Sequence, residues 1–301
     1  MRRYVPLVAL ILLVPAGAVA SPPPPWDGSP IAYVRAGDVY TTPDGRHARR
    51  LTTGHESSRP RWSPDGTRIA YLRAGRLWTM VADGTAPTPV PAGAVKGGAA
   101  WSPDGGWLAY LSVACGLCEI RATAPYGAPV PLVADVGPGR TGPGLPSDYA
   151  VAWSPDGSRI AFRDGGCAGQ FDECLGVYDL VAHREDTVDA YAGGPMPFDG
   201  YGVAPAFSPD SRRVAWTAYC AGAPDIAGSQ VPVHVAEADV DGADRRWLGV
   251  AGDREAVYAG ASGMLLTSTG GGTPWITALD PVTNRRTALL PGTQPDARPL
   301  R

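Results

Sequence analysis

Short apolar segments rich in β-forming residues recur along the chain, and turn-forming residues separate them. Ile69-Ala70-Tyr71-Leu72 follows the turn sequence Ser63-Pro64-Asp65-Gly66 and precedes a further apolar segment at Leu77–Val81. In such a turn, proline presets the backbone angle of the second position, aspartate bonds the local backbone, and glycine accepts a positive φ. The pattern predicts short strands joined by tight turns, which is typical of an all-β chain.

The turn belongs to a longer repeat. The string Trp-Ser-Pro-Asp-Gly-x-x-(Ile/Leu)-Ala-(Tyr/Phe) occupies residues 62–71, 101–110 and 153–162, and a looser copy occupies 207–216. Repetition every ~40–50 residues indicates an array of identical supersecondary units. Each unit has room for four strands, of which the outermost carries prolines suited to a sheet edge. Four strands per unit are typical of a β-propeller blade.

Degenerate copies at both ends extend the array. We predict a six-bladed β-propeller of four-stranded antiparallel blades, and counts of five or seven stay open because the first and last units are irregular. The tail at 293–301 is a candidate for closing the ring by strand exchange with the region around Trp26, since closure removes exposed sheet edges. The predicted blades lie near residues 29–53, 57–93, 96–135, 148–192, 203–251 and 254–292.

The first residues have the pattern of a targeting segment. Arg2 and Arg3 precede a short apolar run, and Ala18-Val19-Ala20 forms a small-x-small cleavage site. We predict a signal peptide at 1–20, a Pro-rich spacer at 21–28, and an exported chain without a membrane span after cleavage. The alternative is an uncleaved anchor, which the short apolar run disfavours.

Composition narrows the class of partner. Apolar residues make up 44% of the chain and charged residues 18%, which predicts a folded core rather than disorder. The formal net charge is −3, and acidic and basic residues are interspersed. Without a basic stripe, we expect no nucleic-acid partner.

The Trp-Ser-Pro-Asp-Gly strings at 62–66, 101–105 and 153–157, each followed by an Ile-Ala-Tyr-type strand, resemble the WD-repeat-like propeller repeat of the TolB family. The resemblance covers roughly 29–292 and implies a TolB-like β-propeller, but it implies no activity. TolB carries an additional N-terminal α/β domain for its envelope partners. We expect none here, because the blades start soon after the signal peptide, and therefore expect no role in the Tol–Pal system. Prolyl-oligopeptidase-type peptidases share the repeat, but a Gly-x-Ser-x-Gly motif is missing.

The units differ mainly in their connections. The second-to-third and blade-to-blade connections share one propeller face, and these are enlarged in blades three to five, including 137–148 and 193–201. Insertions on one face of a repeat protein often mark its binding face. The alternative is that they are tolerated surface loops. The residues that we predict to contact a ligand or partner there are Tyr149, Asp164, Asp172, Tyr201 and Tyr219.

All five cysteines lie in these connections. For an exported chain we predict a disulfide between Cys167 and Cys174, with Cys115–Cys118 as a second, tighter pair. Cys220 is left over, and pairing across adjacent blades stays open. Cys115 and Cys118 have zinc-ligand spacing, but a second such pair is missing, so we predict no metal and no cofactor.

The sequence predicts an exported, non-catalytic module that binds a protein, peptide or glycan through the loop-rich face. The alternative is a propeller enzyme of the lyase, lactonase or glycosidase type, with Asp148, Asp164 and Asp199 converging at the channel mouth. A third hypothesis is a structural envelope protein that is linked between chains through Cys220. No catalytic residues are predicted, because no motif specifies a reaction.

Overall fold

The computed structural model describes residues 26–112, 114–133, 150–164, 174–190, 200–220, 233–270 and 272–299. These residues form twenty-four strands and no helix. The first twelve strands are β1 (Ile31–Arg35), β2 (Asp38–Thr42), β3 (Arg49–Arg50), β4 (Ser57–Trp62), β5 (Arg68–Arg73), β6 (Arg76–Val81), β7 (Thr88–Ala94), β8 (Lys96–Trp101), β9 (Trp107–Ser112), β10 (Gly116–Arg121), β11 (Val130–Pro131) and β12 (Ala152–Trp153). The others are β13 (Arg159–Asp164), β14 (Cys174–Asp179), β15 (Arg184–Ala190), β16 (Gly200–Phe207), β17 (Arg213–Cys220), β18 (Val233–Asp239), β19 (Arg246–Leu248), β20 (Asp253–Ala259), β21 (Gly263–Ser268), β22 (Trp275–Leu279), β23 (Arg286–Pro291) and β24 (Thr293–Ala297).

The strands form six four-stranded antiparallel sheets, which confirms the predicted six-bladed propeller. Blade one contains β24, β1, β2 and β3, and blades two to six follow as successive groups of four from β4 to β23. The first strands of the sheets, β24, β4, β8, β12, β16 and β20, contact one another in turn around the ring. They therefore line the central channel, and the fourth strands form the outer edges.

Blade one is built from both ends of the described chain. Strand β24 pairs antiparallel with β1, with Ile31 opposite Ala297. The Arg298 N–H extends this pairing by donating to the Pro30 carbonyl at 2.8 Å. The last described strand therefore occupies the channel-lining position of the first blade, and it brings the side chains of β24 into the channel.

The repeated turn explains why the same short string recurs. In blade two, the Ser63 hydroxyl donates to Asp65 Oδ1 at 2.6 Å, and the Thr67 N–H donates to the same oxygen at 3.0 Å. Gly66 follows with a φ of +64°, a conformation that side-chain-bearing residues rarely adopt. The same serine-to-aspartate bond forms in blades three, four and five. The repeated aspartates of these blades therefore bind their own turns.

Blades pack against their neighbours through apolar side chains on both faces of each sheet. Leu111 and Leu117 of blade three, for example, share one cluster with Ile160 and Phe162 of blade four. All four are at most 1% exposed. Burying each such side chain contributes roughly 1.5–3 kcal/mol before the entropic costs of folding. The core is thus a ring of blade–blade interfaces rather than one central cluster.

A bulge interrupts the channel-lining strands near their middle. Arg59, Ala204, Glu255 and Gln294 have φ between 51° and 55°, and the strand register shifts at each of these positions. Strand β8 makes the same break with glycine, since Gly98 has a φ of 114°. A bulge bends a strand and re-aims its side chains.

Candidate functional site

A cavity of about 430 Å³ lies where the channel-lining strands end and the Ser-Pro turns begin. Blades two to six each contribute one aromatic side chain at or next to the end of the first strand, and turn prolines complete the lining. We call this cavity the channel mouth. Its aromatic side chains are Trp62, Trp101, Trp153, Phe207 and Tyr258.

The residue before each aromatic side chain breaks the pseudo-symmetry of the channel mouth. In blades three, four and five this position is alanine, at Ala100, Ala152 and Ala206. In blade two it is charged, at Arg61, and in blade one Asp296 occupies the corresponding position of β24, followed by Ala297 instead of an aromatic residue; all five residues line the cavity. The small side chains leave space on one side of the mouth, while the opposite side carries a basic and an acidic group.

Arg61 and Asp296 form a loose ion pair. An Arg61 guanidinium nitrogen lies 3.8 Å from Asp296 Oδ1 and donates to the Pro60 carbonyl at 3.1 Å. The other carboxylate oxygen of Asp296 accepts the Trp62 N–H at 2.7 Å. Burial raises the pKa of Asp296 to about 6, although Arg61 and the Trp62 N–H oppose that rise. Burial also lowers the pKa of the Arg61 guanidinium.

A second charged pair lies deeper in the channel, at the bulges of β4 and β20. Arg59 is 3.3 Å from Glu255 Oε1. The Arg59 N–H donates to the Gln294 side chain at 2.8 Å, and the Gln294 N–H donates to Glu255 Oε2 at 3.0 Å. Thr267 donates its hydroxyl to that same oxygen at 2.8 Å. This network joins β4, β20, β21 and β24 and fixes the polar side of the channel.

Both charged pairs of the channel oppose an acidic group to a basic one. Asp296 and Glu255 each face an arginine rather than a second carboxylate. Acid–base catalysis by carboxylates usually depends on two groups whose pKa values are driven apart. Within the described ranges, no three His, Cys, Asp or Glu side chains are grouped closely enough to hold a metal ion.

No protein-family profile matches this sequence, and no curated protein sequence matches it. Solved structures do. TolB from Acinetobacter baumannii superposes with a TM-score of 0.71 at 14% identity, over 90% of this chain and 67% of that one. The chain has the fold of the TolB propellers. A protein assigned as TolB from Agrobacterium tumefaciens superposes with a TM-score of 0.61 at 17% identity, over 88% of this chain and 90% of that one.

Another propeller shares the architecture. A chain from a nidogen/laminin complex superposes with a TM-score of 0.64 at 9% identity, over 90% of this chain and 98% of that one. At such identities the likeness extends to the fold alone. The residues of the channel mouth are therefore interpreted from the chemistry of this chain.

The structure describes only part of the predicted loop-rich face of this TolB-like propeller. Tyr201 and Tyr219 lie directly opposite each other on β16 and β17. Asp164 ends β13, opposite Cys174 at the start of β14. These strand ends point away from the channel mouth, because the Ser-Pro turns are at the other end of the same strands. Their side chains are not described, and Tyr149, Asp172, Asp148 and Asp199 lie outside the described residues.

The cysteines give one described pair. Cys115 lies in the connection between β9 and β10, Cys118 lies within β10, and their Cα atoms are 6.0 Å apart, at disulfide distance. The prediction that all the cysteines lie in connections is therefore wrong for Cys118, and also for Cys174 and Cys220, which belong to the ends of β14 and β17. Cys118 is fully buried. Cys167 lies outside the described residues, so its pairing with Cys174 stays a prediction.

Sequence reasoning missed this cavity at the Ser-Pro turns, and Asp164, which the enzyme alternative placed at a channel mouth, lies at the other end of β13. The repeat drew attention to Trp, Pro and Asp as turn residues, and the informative signal was the residue just before each aromatic side chain. The change from alanine in blades three to five to Arg61 in blade two is visible in the sequence. Asp296 could not be added to that comparison without knowing that β24 belongs to blade one.

The signal-peptide prediction falls on residues outside the described part of the chain. Among the residues that are described, none belongs to a helix with the length and hydropathy needed to cross a bilayer.

Proposed function

We propose that this chain is an exported, non-catalytic propeller that binds a peptide segment of a protein partner at the channel mouth. The proposal rests on one observation, the difference between the small side chains on one side of the channel mouth and the charged side chains on the other. Ala100, Ala152 and Ala206 leave an aromatic-lined cavity of about 430 Å³, and the Arg61–Asp296 pair stands on its opposite side. Concave, mostly apolar sites with a few fixed polar groups are typical of ligand pockets.

A peptide fits this chemistry better than a glycan does. The alanine and proline walls suit an apolar side chain, and the charged groups of the lining, Arg61 and Asp296, stand together on one side. A short apolar or aromatic segment can occupy the space beside the alanines, and its polar backbone or termini can reach Arg61 or Asp296. The looseness of that ion pair leaves guanidinium and carboxylate positions for such contacts.

The enzyme alternative has weaker support. A catalytic propeller would gain from a pair of carboxylates at the mouth, one of them with a raised pKa. Asp296 has such a raised pKa, but its nearest charged neighbour is Arg61. We therefore propose recognition rather than turnover as the role of the mouth.

Export is proposed on two grounds. The N-terminal pattern of Arg2, Arg3 and Ala18-Val19-Ala20 is that of a cleaved signal peptide. Cys115 and Cys118 lie at disulfide distance, and disulfides persist mainly in oxidising compartments outside the cytosol. The proposed location is therefore the cell envelope or the medium.

The loop-rich face remains a second proposed contact surface. It lies at the opposite end of the strands from the channel mouth, so the two surfaces can be tested separately. Tyr201 and Tyr219, paired across β16 and β17, are its best-placed candidates.

A crosslinking pull-down from native envelope and medium tests the proposal. The bait is the mature protein from Ser21, beside an Ala152→Leu variant that fills the mouth. Ala182→Leu, the same change in an exposed outer turn of blade four, is the matched control. We expect a partner that wild type and Ala182→Leu capture and Ala152→Leu loses. Equal capture by all three baits would refute binding at the mouth. A fourth bait, with segments 137–148 and 193–201 shortened, tests the loop-rich face: if this bait alone loses the partner, the partner binds that face.

A further inference from the structure

An arginine at one repeated position ties the second and third strands of a blade together. It is the first residue after the Ser-Pro turn, at Arg68, Arg159 and Arg213 in blades two, four and five. Arg68 donates to Thr79 at 3.1 Å, and Arg159 lies 3.6 Å from Asp179. Three of the four blades with the turn therefore supply their own guanidinium at this point.

Blade five shows the fullest version of this contact. The Arg213 Nε lies 3.0 Å from Glu237 Oε2, and Glu237 is only 1% exposed. Arg246 and the Tyr258 hydroxyl each approach the same carboxylate to 2.6 Å. Glu237 lies opposite Ala215 in the strand register. A buried carboxylate at this position is thus accommodated by cationic and hydroxyl donors.

Blade three retains the carboxylate but lacks the arginine. Glu119 lies opposite Ala109, the position that corresponds to Glu237 opposite Ala215. The arginine position is occupied by Trp107. Glu119 is half-buried, and no ion pair or hydrogen bond to its side chain is formed by any residue that the structure describes. Burial and the nearby Asp104 charge raise the pKa of Glu119.

An open cleft of about 370 Å³ surrounds this carboxylate between blades three and four. Trp107 lines one side and Trp153 another, and Asp104 contributes a second carboxylate. The Ser102 hydroxyl and the Gly106 N–H hold the pKa of Asp104 below its usual value, so it is ionised at neutral pH. The cleft therefore combines two acidic groups with two indole rings.

Guanidinium groups match this combination. A guanidinium stacks on an indole face and bonds a carboxylate through paired N–H groups, whereas an ammonium is a compact, strongly hydrated charge. The Trp107 ring already contacts one guanidinium of this chain, since that of Arg121 lies 5.1 Å from the ring centroid. The net charge of −3 also favours a basic partner over an acidic one.

We propose that the cleft between blades three and four binds the arginine side chain of a partner protein or peptide, in place of the arginine that the other repeats supply internally. Glu119 pairs with the guanidinium, Trp107 and Trp153 flank it, and Asp104 adds attraction at the cleft entrance. The cleft shares Trp153 with the channel mouth, but Glu119, Asp104 and Trp107 line the cleft alone, and the proposal does not depend on the function proposed for the mouth.

Titration with small peptides tests the site without a known partner. The probes are acetyl-Gly-Arg-Gly-amide, its lysine analogue, and its citrulline analogue, which keeps the shape and removes the charge. The signals are the indole N–H resonances of Trp107 and Trp153 in the isotope-labelled mature protein, assigned through tryptophan-to-phenylalanine variants. We expect saturable shifts with the arginine peptide, several-fold weaker binding of the lysine peptide, and no saturation with citrulline.

Two variants separate the site from a general charge effect. Glu119→Gln should weaken arginine-peptide binding at least fivefold, while Glu56→Gln, the same change at an exposed residue, should leave it unchanged. Trp107→Arg should abolish binding, because it places an internal guanidinium beside Glu119 as in blade five. A melting curve of each variant shows that it is folded.

Arginine and citrulline peptides that behave alike would overturn the proposal. Undiminished binding to folded Glu119→Gln would overturn it as well. If Trp107→Arg fails to fold, the comparison of Glu119→Gln with Glu56→Gln still decides the result.

Discussion

Replacing Asp296 with asparagine should change how stability depends on pH. Asp296 contacts Arg61 at 3.8 Å and accepts the Trp62 N–H at 2.7 Å, and it lies within the channel. Asparagine keeps the acceptor oxygen and nearly the same shape, but it cannot ionise. The comparison of wild type with Asp296→Asn therefore isolates the titration of one carboxyl group.

The expected change of stability with pH is opposite in sign to the change that most acidic residues cause. Burial raises the pKa of Asp296 from 3.8 to about 6 in the folded protein, so the folded state binds this proton more tightly than the unfolded state does. Stability relative to the variant should rise as pH falls through about 6 and level off near the unfolded pKa. For these two values, linkage gives a gain of about 2 kcal/mol between about pH 7 and about pH 4.5.

Urea unfolding of both proteins at the two pH values measures this difference. Asp210→Asn is the control, because the Ser208 hydroxyl and the Arg212 N–H lower the pKa of Asp210. The stability advantage of wild type over Asp210→Asn should therefore shrink, rather than grow, as pH falls. If the wild-type advantage over Asp296→Asn were flat or fell toward acid, Asp296 would not be desolvated in the channel, and the electrostatic description of the mouth would be wrong.

Three further outcomes follow from the packing. Phe162→Ala, at a fully buried blade–blade contact, should cost about 3–5 kcal/mol of unfolding free energy in urea, and a cost below about 1 kcal/mol would argue against that interface. Trp216→Phe removes the indole donor 2.7 Å from buried Asp189 and should cost about 1–3 kcal/mol by the same assay. Cys115→Ser should add one free thiol in denatured, unreduced protein, and a thiol count lower by one would mean that Cys115 and Cys118 are not bonded.

The blades were predictable because their determinants are local. A turn such as Ser63-Pro64-Asp65-Gly66 closes through bonds among neighbouring residues, and it does so in each unit that carries the string. Counting those turns gave four blades, and the first and last blades were predicted from degenerate copies at both ends of the array. The bulge was not predictable, since Arg59, Ala204 and Glu255 adopt positive φ without any shared residue type.

The candidate site depends on contacts that the repeat does not encode. Asp296 reaches Arg61 only because β24 enters the first blade beside β4, across a separation of more than two hundred residues. The cavity exists because Ala100, Ala152 and Ala206 are small at equivalent positions, which becomes meaningful once the six strands are known to face one channel. The cleft at Glu119 has the same origin, since its missing arginine is visible only by comparison with the other blades.

Site-specific photocrosslinking tests the central claim, binding at the channel mouth, most directly. A photoreactive phenylalanine analogue at Pro155, on the lining of the mouth, is compared with one at Val181, which is 78% exposed in an outer turn of the same blade. We predict that the Pro155 position crosslinks a partner in the native envelope or medium, that Ala152→Leu abolishes this adduct, and that Val181 gives none. Adducts from Val181 alone, or a Pro155 adduct that persists in Ala152→Leu, would contradict the account.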